Sequence, residues 1–309
     1  MEWIVTAADE GVRLDKFLAE HARLGSRRRA SIALDRGKVF VNAVEAATGS
    51  GSLKLAAGDR VRVWMDRPGS SRRRSPSRSG DLRIVFEDDA LIVVDKPAGV
   101  LAVPLERRLQ APSVFEQLVT HFRSHGKRKP FTVHRIDRDT SGLVVFARNG
   151  AAQAALKDQF KRQAVTRIYR AVVYGHPDPP AGTWKDRLVW DPRALIQKET
   201  HPRDPRGKDA VCRYEVVERF GGTSLIEVRL ETGKRNQIRL QARLRGHTLV
   251  GEQRYVYGPE DLRPIDFGRQ ALHAYRLAFA HPESGEALRF EAPIPDDMAD
   301  LIARLRRLA

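Results

Sequence analysis

Cysteine is almost missing from this chain. Of 309 residues only Cys212 is one, which excludes a disulfide framework and any zinc site built on cysteines. Long apolar runs are missing too. The longest stretch without a charged side chain is nine residues, Pro97 to Leu105, against about 20 for a membrane-spanning helix. The N-terminus, Met1-Glu2-Trp3-Ile4-Val5, lacks a basic start and soon carries Asp9 and Glu10. A secretory or transit peptide is therefore not expected, and a cytoplasmic location is. Acidic residues are in deficit, 39 against 55 Lys and Arg, for a net charge of +16. What is present is 41% hydrophobic and 30% charged, which suits a globular core under a charged surface. The length suits about two domains. The positive excess asks for a polyanionic partner, most simply a nucleic acid, although a merely soluble basic protein has the same arithmetic.

Composition shifts most sharply at residues 66–82, DRPGSSRRRSPSRSGDL, where almost nothing is apolar. Such a segment buries too little surface to offset its ordering entropy and reads as a flexible basic linker. Five arginines and two aspartates give it +3, residues 1–65 carry +3, and 83–309 carry +10. The N-terminal part reads as a small α/β unit. Leu14, Phe17 and Leu18 stand at helical spacing in RLDKFLAEH. Ser26 is a good N-cap for a second helix that Gly37 ends. Residues 38–42 and 59–65 follow as strands. Arg27, Arg28 and Arg29 open the second helix, where backbone N–H groups and the dipole already favour phosphate; taken alone, the run also fits a solvated helix start.

In 83–309 strand and helix patterns alternate, with hairpin-like spacings among them. Strands are expected at 83–87, 91–95, 143–148, 167–174, 223–230, 276–280 and 288–290, and helices at 113–122, 151–162 and 235–245. This predicts an α+β domain with a mainly antiparallel sheet.

Two polar clusters stand out. The first is His134-Arg135-Ile136-Asp137-Arg138-Asp139-Thr140-Ser141-Gly142, directly before an apolar strand, where a rigid scaffold commonly holds functional groups. His134 with Asp137 is a weak metal pair. Ser141 is a conceivable nucleophile, but GxSxG is absent. Either aspartate could simply close an Asx turn. The second cluster, Leu230 to Arg239, puts Arg235, Arg239 and Arg243 four apart on one expected helix face. That pattern suits a solvated basic face, or an arginine that holds a carboxylate or a phosphate.

Two resemblances follow. RLDKFLAEH, SRRRASIALDRGKVFVN and LAAGDRVRV, in order over about residues 12–65, resemble the S4-type RNA-binding module, which docks two short helices on structured RNA. Across 83–309, five blocks in order resemble the RluA-type pseudouridine synthase family. They are DKPAGVLAVP (95–104), HRIDRDTSGLVVFARN (134–149), RIYRAVVYG (167–175), LETGKRNQIRLQ (230–241) and RQALHAYRLAFAHPESGEALRFEAPIPDDM (269–298). There are departures. Ile136 replaces a leucine, Val103 stands where a histidine is usual, and both histidines of the common TGRTHQIRVH pattern are missing. Residues 185–206 fit poorly and read as an RNA-facing loop.

The second resemblance implies an RNA uridine isomerase. Asp137 would be the catalytic aspartate, Tyr169 the tyrosine against the target base, and Arg239 the partner of Asp137. An arginine there would oppose the protonation that burial causes. His134, Arg135, Lys234 and Arg235, with Arg27 to Arg29, would meet RNA, while Thr140, Ser141 and Gly142 would shape the loop. No cofactor, metal or obligate protein partner is implied, and a monomer is expected. An S4-type module favours 23S ribosomal RNA as substrate over transfer RNA. Two other readings remain: a non-catalytic RNA-binding or ribosome-assembly protein, and a metal-dependent phosphodiesterase, for which Asp137 and Asp139 alone are insufficient.

Overall fold

The structure, a computed structural model, describes residues 1–35, 38–42, 44–46, 50–64, 82–104, 112–123, 129–194, 196–256 and 265–308. Of the expected linker 66–82, all but Leu82 lies outside them, as do Gly37 and the side chain of Arg28. The chain divides into two compact units, Met1–Asp81 and Leu82–Ala309.

In the first unit β1 (Glu2–Ile4), α1 (Leu14–Ala19), α2 (Arg27–Asp35), β2 (Val39–Val41), β3 (Val44–Glu45) and β4 (Arg60–Val63) follow in order. The strands form an antiparallel sheet in the order β1-β4-β2-β3. Leu14, Phe17 and Leu18 of α1 bury completely, one helix face at spacings three and four. They pack with Val39, Leu55, Val61 and Val63. Ser26 Oγ accepts from the Arg29 N–H at 3.2 Å, which is the cap expected for α2. Arg27 and Arg29 are exposed.

The second unit contains β5 (Arg83–Glu87), β6 (Leu91–Lys96), α3 (Val114–Arg123), β7 (Phe131–Thr132), β8 (Ser141–Ala147), α4 (Gly150–Lys161), β9 (Thr166–Tyr174), β10 (Ala181–Asp191), β11 (Ile196–Glu199), β12 (Lys208–Arg219), β13 (Thr223–Leu230), α5 (Gln237–Leu244), β14 (Leu272–Ala280), β15 (Ala287–Glu291) and α6 (Asp296–Leu308). Among the described residues eleven strands form one sheet. Its path is β11-β10-β12-β13-β9-β14-β8-β6-β5, with β15 on β14 and β7 on β8. Among the described strand pairs only β14 against β8 is parallel, so the expected α+β class with a mainly antiparallel sheet is what forms. The runs LIVVD and GLVVFA lack alternation because both faces of β6 and β8 are covered. Ile92, Val94, Val144 and Phe146 enter one core, and Leu91, Val93, Leu143 and Val145 another.

Three expectations need correcting. Residues 185–206 are not mainly loop: β10 and β11 pair as an antiparallel hairpin, with Leu188 opposite Glu199 and Asp191 opposite Ile196. The helix of the second polar cluster begins at Gln237, after Asn236 in the left-handed region at φ 52°. Arg235 therefore precedes the helix and does not share a face with Arg239. The strand expected at 276–280 begins four residues earlier, at Leu272.

Candidate active site

The loop 134–140 joins β7 to β8 and is pinned from two sides. Lys96, at the end of β6, is completely buried, and its Nζ donates to the carbonyls of Pro97, Val100 and Arg138, each at 2.8 Å. Burial pulls its pKa down to about 7, against the attraction of Asp139 and Asp137. From the other side Arg269 donates to the Asp139 carbonyl at 3.2 Å while its Nε and Nη2 grip Asp297 at 2.7 and 2.8 Å. The Thr140 N–H closes the turn on the Asp137 carbonyl at 3.2 Å. The backbone around Asp137 is thus fixed by side chains remote in sequence.

Gly142, the second residue of β8, stands at φ +108°, and a Cβ there would lie 2.3 Å from the Ala274 carbonyl oxygen. Only glycine allows β8 and β14 to approach so closely. Ser141 Oγ lies 2.9 Å from Nδ1 of His273, and both residues are buried. Burial lowers the His273 pKa to about 4. This Ser–His pair lies within the packed sheet and does not line the cleft, which removes the nucleophile reading of Ser141. Thr140 Oγ1 accepts from Gln270 at 3.3 Å.

Asp137 faces a cleft of about 510 Å³ lined by His134, Arg135, Tyr169, Asn236 and Arg239 among others. That volume suits a nucleoside-sized ligand. Arg239 Nη1 donates to Asp137 Oδ2 at 3.0 Å, and Asn236 Nδ2 donates to the same oxygen at 2.6 Å. The expected ion pair is therefore formed. Arg239 has a second carboxylate that sequence reasoning missed: its Nε and Nη2 both meet Glu252 at 2.6 Å. Glu252 has no side-chain exposure, whereas Asp137 keeps 24%. Burial alone would raise the Glu252 pKa; the Arg239 bonds and charge, with the N–H groups of Arg254 and Tyr255, reverse that and hold it below the usual glutamate value. The two carboxylates in turn raise the Arg239 pKa despite burial. The buried carboxylate that most needs an arginine is Glu252.

The other expected residues divide. Tyr169 projects from β9 into the cleft, and burial raises its pKa, so the hydroxyl stays protonated. Arg135 and Lys234 line the cleft. Arg235 stacks on Trp190 of the β10–β11 hairpin, 4.1 Å from the ring centre. His134 Nε2 accepts the Val145 N–H at 3.1 Å, and its ring stacks on Phe160 at 4.7 Å. Burial, aided by Arg167, lowers its pKa to about 3. This histidine is neutral and adds no positive charge toward RNA. Of the two positions where histidines are missing, Asn236 holds Asp137. Gln241 is fully buried and donates to Asp186 at 2.6 Å and the Ala210 carbonyl at 3.1 Å. Cys212 is also buried, with its thiol pushed up to about 12.

The pattern of the RNA pseudouridylate synthase family matches residues 90–244. The chain is 39% identical to the uncharacterized RNA pseudouridine synthase YlyB of Bacillus subtilis strain 168 over 98% of both chains. It is 37% identical to ribosomal large subunit pseudouridine synthase D of Neisseria meningitidis serogroup A, covering 96% of this chain and 79% of that one. The protein of the same name from Zymomonas mobilis is 36% identical over 97% and 96%. Among solved structures, human RNA pseudouridylate synthase domain containing 4 superposes with a TM-score of 0.59 at 20% identity, over 72% of this chain and 93% of that one. At that identity the likeness speaks for the fold alone. The chain belongs to the RNA pseudouridylate synthase family. It is an isomerase, an RNA pseudouridine synthase.

Proposed function

We propose that this enzyme isomerises uridine in 23S ribosomal RNA and that Asp137 is its catalytic carboxylate. The observation that carries the site assignment is the pair Arg239–Asp137 at 3.0 Å, facing a cleft of nucleoside size. The reaction breaks the uridine N1–C1′ bond, turns the uracil and joins C5 to C1′. The C5 proton leaves and N1 regains one, so no electrons are exchanged. Asp137 supplies the nucleophilic or basic oxygen. Arg239 and Asn236 both engage Oδ2, which leaves Oδ1 to face the substrate. Tyr169 offers the uracil a ring to stack on and, being protonated, a hydroxyl for proton transfer. The target must leave its stack, at a cost of about a few kcal/mol, which contacts to phosphates offset.

Residues 1–65 act in this reading as an S4-like docking module, with Arg27 to Arg29 toward phosphate, joined through 66–82 to the catalytic domain 83–309. The names of relatives, ribosomal large subunit pseudouridine synthase D, support a ribosomal substrate, and the chain is read as a cytoplasmic monomer. Mapping pseudouridines in total RNA from cells with and without this gene tests the substrate. Loss at one or a few 23S positions is expected; loss confined to transfer RNA would refute the ribosomal choice.

A further inference from the structure

The cleft contains a positive charge that the chemistry above leaves unused. Arg167 and Tyr169 stand two apart on β9, so they leave the same face of the sheet, and both line the cleft. Arg167 is 9% exposed. Its Nε is buried without a hydrogen-bond partner among the described residues. Its Nη2 reaches the Glu231 carbonyl at 3.4 Å, a long bond. Among the described residues it forms no ion pair, whereas the equally buried Arg239 and Arg269 grip carboxylates with two nitrogens each. The nearby acid, Glu231, is committed to Arg213 at 2.7 Å. A guanidinium does not deprotonate in proteins, so Arg167 is a desolvated cation short of acceptors.

Its surroundings are shaped to keep it there. A Cβ on Gly233 would fall 2.5 Å from Nη1, so the glycine of the LETGK turn makes room for the guanidinium. The ring of Phe160 lies 5.4 Å beneath it. Lys161 and Lys234 follow Phe160 and Gly233 directly in the chain, line the same cleft, and form no ion pair among the described residues. Three cations without acid partners, one of them buried beside the tyrosine, call for a permanent anion that enters with the substrate. Uracil is neutral until its bond to C1′ breaks. The phosphodiester is charged throughout, and its two free oxygens match the guanidinium fork.

We propose that Arg167, flanked by Lys161 and Lys234, binds a backbone phosphate next to the flipped uridine. The inference rests on the isomerase assignment and not on which RNA is modified. The test uses whichever RNA the wild-type enzyme modifies, so a transfer RNA substrate would refute the ribosomal reading and leave this one standing. Each of the two linkages flanking the target uridine is replaced in turn by a neutral methylphosphonate, and kcat/KM is measured for wild type and R167Q. At one linkage the wild type should lose roughly 10- to 100-fold. R167Q should lose a similar factor on native RNA and nothing further on that neutral linkage. G233A, which displaces the guanidinium while keeping its charge, should lose the same discrimination. No effect of either neutral linkage on the wild type would overturn the proposal, even if R167Q failed to fold. So would losses that multiply at both linkages, which would assign Arg167 to the uracil or to the fold.

Discussion

Arg239 serves two carboxylates with one charge, and the division of labour is unequal. Glu252 takes Nε and Nη2 in a closed fork, which fixes the plane of the guanidinium and leaves Nη1 for Asp137. Through that fork Glu252 orients the Arg239 side chain. Removing one partner of a buried ion pair leaves an uncompensated charge, so E252Q should lose about 3 kcal/mol of stability. Misplacing Arg239 should slow isomerisation by roughly 10²-fold. Urea denaturation and single-turnover rates on the same preparation check both; wild-type rates in a destabilised E252Q would confine Glu252 to the fold. The pairing of Asp137 with Arg239 was legible in the sequence because both sit in recognisable blocks. Glu252, Lys96 and Arg269 were not legible as parts of the site. A lone charge in a sequence does not show which distant partner it will meet, and the partners here lie 13 to 130 residues away.

At the scale of elements, the site depends on how closely β8 and β14 pack. Gly142 allows the parallel pairing of Gly142 with Ala274 directly after the loop 134–140 that carries Asp137. G142A adds a methyl against backbone atoms at a positive φ, and it should destabilise by about 3 kcal/mol. A urea midpoint unchanged from wild type would show that β8 and β14 can part without cost. Most of this sheet could be read from apolar runs: β13 was expected at 223–230 and forms there. The strands β10 and β12 were missed although β12 alternates, with Ala210, Cys212 and Tyr214 buried. Their outward positions hold so many charges, and proline-rich turns lie so near, that the segment reads as solvated loop. The C-terminal α6 also went unread, although Met298, Leu301, Ile302 and Leu305 form its buried face.

Across the whole molecule, the positive excess resolves into different tasks. Some arginines are exposed, like Arg27 and Arg29, while Arg239 and Arg269 are consumed inside the fold. Histidine adds nothing to the charge where its ring is held in the interior, fully for His273 and partly for His134. His134 and His273 have pKa values lowered by burial to about 3 and about 4, from an ordinary 6.5. As pH falls below 6.5 the unfolded chain binds protons that the folded chain refuses, so stability present at neutral pH is lost toward pH 4. The urea midpoint should therefore drop between pH 7 and pH 5, and drop less in H134Q. A wild-type midpoint flat over that range would contradict the neutral state of these two rings.

In the proposed reaction Asp137 performs the isomerisation. That role is tested most directly by incubating wild type and D137N with the same RNA and counting pseudouridine formed, alongside RNA binding and thermal melting of both proteins. D137N keeps the shape of the side chain, so folding and RNA binding should persist while pseudouridine falls below detection. Pseudouridine formation by a folded D137N at the wild-type rate would contradict a catalytic role for Asp137.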